Sequence, residues 1–96
     1  MLTHIVIWKY RADIEQEVRE EHVGLLRGLA ATIPEIVSLS VGFDVLRLQR
    51  SYDTGLVAVF RHRKGLASYT IHPDHIKAAE FGASISEHVA SVDIES

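Results

Sequence analysis

Residues 69 to 75 read YTIHPDH, a tyrosine followed at three and six residues by histidines, with Pro73 and Asp74 between them. A neutral imidazole accepts a proton near neutral pH, and a phenol donates a hydrogen bond to a developing oxyanion. Facing one cavity, the two suit removal of a proton beside a carbonyl and stabilisation of the resulting enolate. Pro73 makes the two histidines unequal. Proline suits the first helical position and drives the residue before it out of the α region, so the spacing predicts a helix that breaks at 72 and a new one that starts at 73. His75 then lies in a first turn, where unpaired backbone N–H groups and the helix dipole disfavour imidazolium. Asp74 opposes that bias if its carboxylate turns toward the ring. Tyr69 can fold back across the kink toward the same cavity as His75. His72 reads first as a turn or cap residue and second as a contact to a bound molecule.

A metal clamp fits this pattern poorly. His-x-x-His straddling a proline does not hold both rings on one helical face, and no acidic ligand is fixed by the spacing, so no metal is expected. Of the other histidines, His22 falls beside the apolar stripe of the first helix, as a pocket residue or, in preference, as a buried ring bonded to the backbone. His62, in RHRK, reads as a solvated turn, and His88 as a residue near the last helix's end that meets its terminal carbonyls.

These side chains need elements to hold them. LTHIVIWKY, residues 2 to 10, alternates Leu2, His4, Val6, Trp8 and Tyr10 with Thr3, Ile5, Ile7 and Lys9. Both sets are largely apolar, which suits a strand covered on both sides. Asp13 is placed to cap a helix whose apolar positions Ile14, Val18, Leu25, Leu26, Leu29 and Ile33 recur at helical steps, with Arg19 and Arg27 facing water and Pro34 marking its end. Ile36 to Val45 alternates cleanly as a second strand, and GLVAVF is a third. A short helix over 64–71, a further helix from Pro73 and a strand over 89–94 complete the chain. The order β-α-β-β-α-β is ferredoxin-like, an α+β fold with a four-stranded antiparallel sheet and helices on one face. The other face lacks cover within one chain, so it is expected to pack against a second copy.

Composition narrows the possibilities. Ninety-six residues, 47% hydrophobic and with two prolines, make a single domain spanning 1–96. A chain of this size buries only about 60–65% of its unfolded surface, which also favours a homodimer. The formal charge of −3, without a basic stripe, argues against nucleic acid, and the absence of cysteine removes thiolate catalysis and disulfides. The first strand is too short for a membrane span and lacks signal-peptide features, so the expectation is a soluble cytoplasmic protein with no membrane partner.

HIVIWKY, the IPEI turn, VGFD, the YD before a strand ending at Phe60, and YTIHPDH together resemble the stress-responsive dimeric α/β barrel (Dabb) family over nearly the whole chain. The resemblance implies a ferredoxin-like subunit whose dimer closes two sheets into a barrel. It also implies cofactor-independent acid–base chemistry of the kind a polyketide cyclase performs, with Tyr69 and His75 as the working pair and His4 as the strand-one histidine. Thr54 stands where that cyclase has another pocket histidine, and Glu35 where the family often has glycine. The resulting expectation is a homodimer that binds a small, partly apolar organic molecule without a cofactor. The catalytic set is His75, Tyr69 and His4, and the ligand contacts are Val6, Trp8, Val23, Leu26, His72 and Phe81. The competing expectation is a stress-associated dimer that binds without turnover.

Overall fold

The computed structural model describes all 96 residues. The elements run β1 (Leu2–Tyr10), α1 (Gln16–Thr32), β2 (Ser38–Phe43), β3 (Thr54–Phe60), α2 (Arg63–Thr70), α3 (Pro73–Ile85) and β4 (Ser86–Glu95). This is the ferredoxin-like order, with its second helical segment broken at His72 and Pro73 where the proline predicts a break. The strands form one antiparallel sheet in the order β2-β3-β1-β4.

Alternation along β1 decides what each face carries. Leu2, His4, Val6 and Trp8 stand opposite Phe60, Ala58, Leu56 and Thr54 of β3, on the helix side of the sheet. From above, α1 lays His22, Val23, Leu26 and Leu29 onto that face. Leu26, Leu56 and Phe60 are fully buried there, and each such side chain contributes about 1.5–3 kcal/mol relative to exposure. The opposite face carries Thr3, Ile5 and Ile7 of β1, paired with Ile94, Val92 and Ala90 of β4. Val57, Val92 and Ile94 remain exposed on it. No helix is long and apolar enough to cross a membrane.

Several local expectations are corrected. The helix α1 begins at Gln16 with Glu15 at its N-cap and no side-chain cap bond, because Asp13 lies too early and reaches Arg11 at 3.5 Å instead. Arg27 is exposed as expected, and it also donates from Nε and Nη2 to the Val41 carbonyl, at 3.1 and 2.9 Å. Arg19 lies over the Tyr10 ring, 5.1 Å from its centre. The second strand stops at Phe43, since Asp44 leaves the sheet to accept the Arg47 N–H at 2.6 Å, with Arg47 held at φ 53°. His62 is the N-cap of α2, its Nδ1 accepting from the Gly65 N–H. His88 lies in β4 opposite Lys9, because β4 starts at Ser86 directly after α3 ends at Ile85.

Candidate functional site

Three elements bring His4, Tyr69 and His75 together. His4 comes from the helix side of β1, Tyr69 from the last turn of α2, and His75 from the first turn of α3. The Tyr69 ring lies 4.2 Å from that of His75 and 5.8 Å, edge to face, from that of His4, measured between centroids. Phe60 backs Tyr69 at 5.1 Å. The proline break creates this arrangement. Ending α2 at Thr70 and restarting at Pro73 turns α3 so that His75 Nδ1 donates back to the Thr70 carbonyl at 3.0 Å. With the proton on Nδ1, Nε2 keeps its lone pair, and no group of the chain bonds to it.

His72 shapes the break. It is the N-cap of α3, and its Nδ1 accepts the Asp74 N–H at 3.1 Å, satisfying one of the helix's unpaired donors. A participant that spacing did not reveal is Asp93. It stands opposite His4 in the β1–β4 register and holds His4 Nδ1 at 2.5 Å. The two residues are 89 positions apart, so only the strand pairing exposes the contact.

Burial separates the protonation states of the pair. Desolvation pushes the Tyr69 phenol up to about 12, so it remains an O–H donor throughout the physiological range. For His75 the largest effect is also burial, which lowers it; the Thr70 carbonyl opposes this, and His4 and His72 lower it further. The balance keeps the imidazole below its ordinary value and neutral at pH 7. Titratable groups driven apart in this way are suited to acid and base roles. The Tyr69 hydroxyl makes no hydrogen bond within the chain, yet it is not among the fully enclosed atoms without partners.

The expected ligand contacts divide differently. Trp8, Val23 and Leu26 are buried in the close-packed core, and Val6 and Phe81 pack against it. None of these five lines the groove beside the site. The space beside the site is instead a groove of about 510 Å³ between α2 and the end of β4, lined by Leu2, Arg63, Leu66, Ala67, Thr70, Ile71, Asp93 and Glu95. Thr70 and Asp93, which hold His75 and His4, form part of its wall.

A second histidine centre lies under α1. His22 is completely buried, and its Nδ1 pairs with the Tyr10 hydroxyl at 2.7 Å, which pairs in turn with Thr54 Oγ1 at 2.7 Å. The expected backbone partner is therefore replaced by a phenol. His22 Nε2 has no partner, and burial pulls the ring down to about 4. Below it, Asp53 accepts from the Tyr10 N–H at 2.8 Å and from Arg47 at 2.7 Å. Burial alone would raise this carboxyl, but Arg47, the Tyr10 N–H and Arg19 together hold it below the usual carboxylate range. Thr54, at the position of the cyclase's additional histidine, is thus committed to a buried network. No three His, Asp or Glu side chains gather closely enough to hold a metal ion.

Solved structures share this architecture. A dimeric ferredoxin-like protein from Bacteroides fragilis is 27% identical, with a TM-score of 0.87 over 99% of this chain and 95% of that one. A dimeric ferredoxin-like protein from Thermobifida fusca is 25% identical, with a TM-score of 0.90 over 99% and 90%. A hydroxynitrile lyase from Passiflora edulis has the same fold at 14% identity, with a TM-score of 0.87 over 97% and 90%. None of the curated proteins matches the chain. The profile of the stress responsive A/B barrel domain matches residues 2–96, and with the sheet order and the broken second helix already in place, the chain belongs to that family.

Proposed function

We propose that the protein works as a homodimer that binds a small, partly apolar carbonyl compound and performs cofactor-independent proton transfer beside the carbonyl. The observation that carries this reading is the state of His75. One ring nitrogen is fixed as a donor to Thr70, and the other is left as a free acceptor beside Tyr69. His75 Nε2 takes the α-proton, and the Tyr69 O–H stabilises the enolate oxygen. His4, oriented by Asp93, passes or receives a proton beside the same phenol. A lyase, isomerase or cyclase step follows according to which bond the enolate breaks or makes. The Passiflora edulis neighbour is a hydroxynitrile lyase, so an enzyme has been built on this fold.

The dimer rests on the uncovered sheet face. Ile5, Ile7, Ala90, Ser91 and Val92 line an apolar hollow of about 260 Å³ there, and both bacterial neighbours are dimeric. The alternative of a dimer that binds without turnover is favoured by the burial of Trp8, Val23 and Leu26 in the core. Deuterium exchange at the α-carbon of a β-diketone, followed by NMR in D₂O, separates the two. The acid–base reading expects exchange with the wild type and its loss in His75→Ala and Tyr69→Phe. Equal exchange in all three proteins would remove the proposed roles.

A further inference from the structure

We infer that the groove between α2 and β4 seats an uncharged, largely apolar part of the substrate and excludes carboxylates, with Glu95 as the residue that sets this preference. The inference rests on the acid–base reading above and specifies the substrate class for the same site. Its basis is the pairing of the groove's own polar groups. Eight residues line it, and four of them, Leu2, Leu66, Ala67 and Ile71, offer only apolar surface. Each polar side chain among the remaining four is already engaged. Arg63 Nη2 donates to Glu95 Oε1 at 2.6 Å, the Thr70 hydroxyl donates to the Leu66 carbonyl at 2.9 Å, and Asp93 Oδ1 accepts from His4 at 2.5 Å.

An entering molecule therefore meets one cation, Arg63, which already shares an amino group with Glu95. Two carboxylates and one guanidinium give the groove a negative balance, and the guanidinium is paired through one amino group with Glu95. A carboxylate ligand would be repelled by Asp93 and Glu95 and would compete with Glu95 for Arg63. A neutral ketone or aldehyde carries neither penalty, and its hydrocarbon part finds four apolar neighbours. Position supports the same assignment. Asp93 and Thr70 belong to the groove wall and also hold His4 and His75, so the groove adjoins the supports of both imidazoles, and a carbonyl at its inner end would lie toward them.

The test compares 4-phenylbutan-2-one with its carboxylate isostere 3-phenylpropanoate. Each is titrated into the full chain at neutral pH and low salt, and the methyl resonances of Leu2 and Leu66 are followed by NMR. The ketone is expected to bind roughly tenfold or more tightly than the carboxylate in the wild type. Glu95→Gln, which releases Arg63, is expected to shrink that ratio severalfold. Equal wild-type affinities, an unchanged ratio in Glu95→Gln, or no response of these methyls to either ligand overturns the inference. Binding is read here without turnover. Ketone binding with no α-proton exchange in the same samples would count against the acid–base reading while supporting the groove's selectivity.

Discussion

Tyr69 and His75 stand ring to ring at 4.2 Å across the Pro73 break, and burial drives their titrations in opposite directions. The phenol keeps its proton when the imidazole has already lost its own. A rate that needs neutral His75 rises with pH through a value below the ordinary histidine 6.5 and is flat at neutrality. The expected profile of α-proton exchange therefore holds down to mildly acidic pH before it falls. In His75→Gln the exchange should drop by about 10² or more. A profile centred above 6.5 would show that another group supplies the base.

The Tyr69 hydroxyl has no hydrogen-bond partner in the chain, so removing it should separate function from stability. Tyr69→Phe keeps the ring that packs on Phe60. Its unfolding free energy is expected within about 0.5 kcal/mol of the wild type, with exchange lowered about tenfold or more. Urea unfolding measured beside the exchange assay checks both. A large loss of stability would place the hydroxyl in the structural framework rather than in the site.

Asp93 fixes the ring of His4, and its loss should be felt through that histidine. Asp93→Asn removes the charge and leaves the shape. The expectation is a roughly tenfold loss of exchange, together with disappearance of a downfield His4 Nδ1 proton resonance. Retention of that resonance in the variant would show that Asp93 does not orient the ring.

Acid stability should follow His22. Its folded value is about 4 against the ordinary 6.5, so between these pH values the unfolded chain binds a proton that the folded chain refuses. Stability is then complete above pH 6.5 and declines as pH falls toward 4, by about 3 kcal/mol in all. His75, also lowered, adds a slope of the same sign. Denaturant titrations at pH 7, 5.5 and 4.5 should show most of the decline vanishing in His22→Leu. A full decline in that variant would assign the acid lability elsewhere.

Two glycine positions should respond in opposite senses to alanine. At Gly82 a Cβ would lie 2.5 Å from His22 Nε2 and 2.9 Å from Trp8 Nε1, inside a packed core. Gly82→Ala is expected to cost about 1–3 kcal/mol. At exposed Gly28 a Cβ meets nothing within 4 Å, and Gly28→Ala should gain up to about 1 kcal/mol from helix propensity. Thermal unfolding of the pair tests whether α3 is seated on the His22 ring.

The elements were legible because they rest on local physics. Period-two alternation in LTHIVIWKY assigned both faces of β1 correctly, and Pro73 located the helix break within a residue. The resemblance carried by YTIHPDH paired Tyr69 with His75, and the structure brings the two rings together. What escaped depends on pairings between distant strands. Asp93 gains its meaning only from the β1–β4 register, and the partner of His22 is a strand-one tyrosine that periodicity marks merely as inward-facing. Asp13 was misassigned as a cap because the chain uses two further residues to turn into α1. Trp8, Val23 and Leu26, expected as pocket walls, are buried in the core, which periodicity alone also predicts for inward-facing apolar side chains.

The direct passage from Ile85 to Ser86 makes α3 and β4 a measuring rod for the whole molecule. Counting along β4 places Asp93 beneath His4, while Val92 and Ile94 point to the uncovered face. One inserted residue that slipped the strand would exchange these two sets, burying a carboxylate among apolar side chains and leaving His4 beside a valine or isoleucine. Site chemistry and surface complementarity are thus written in a single residue count. An alanine inserted after Ser86 should abolish the His4–Asp93 signal and disturb self-association together, whereas retention of both would show that the strand absorbs the extra residue by enlarging the irregularity already present between Ser86 and His88.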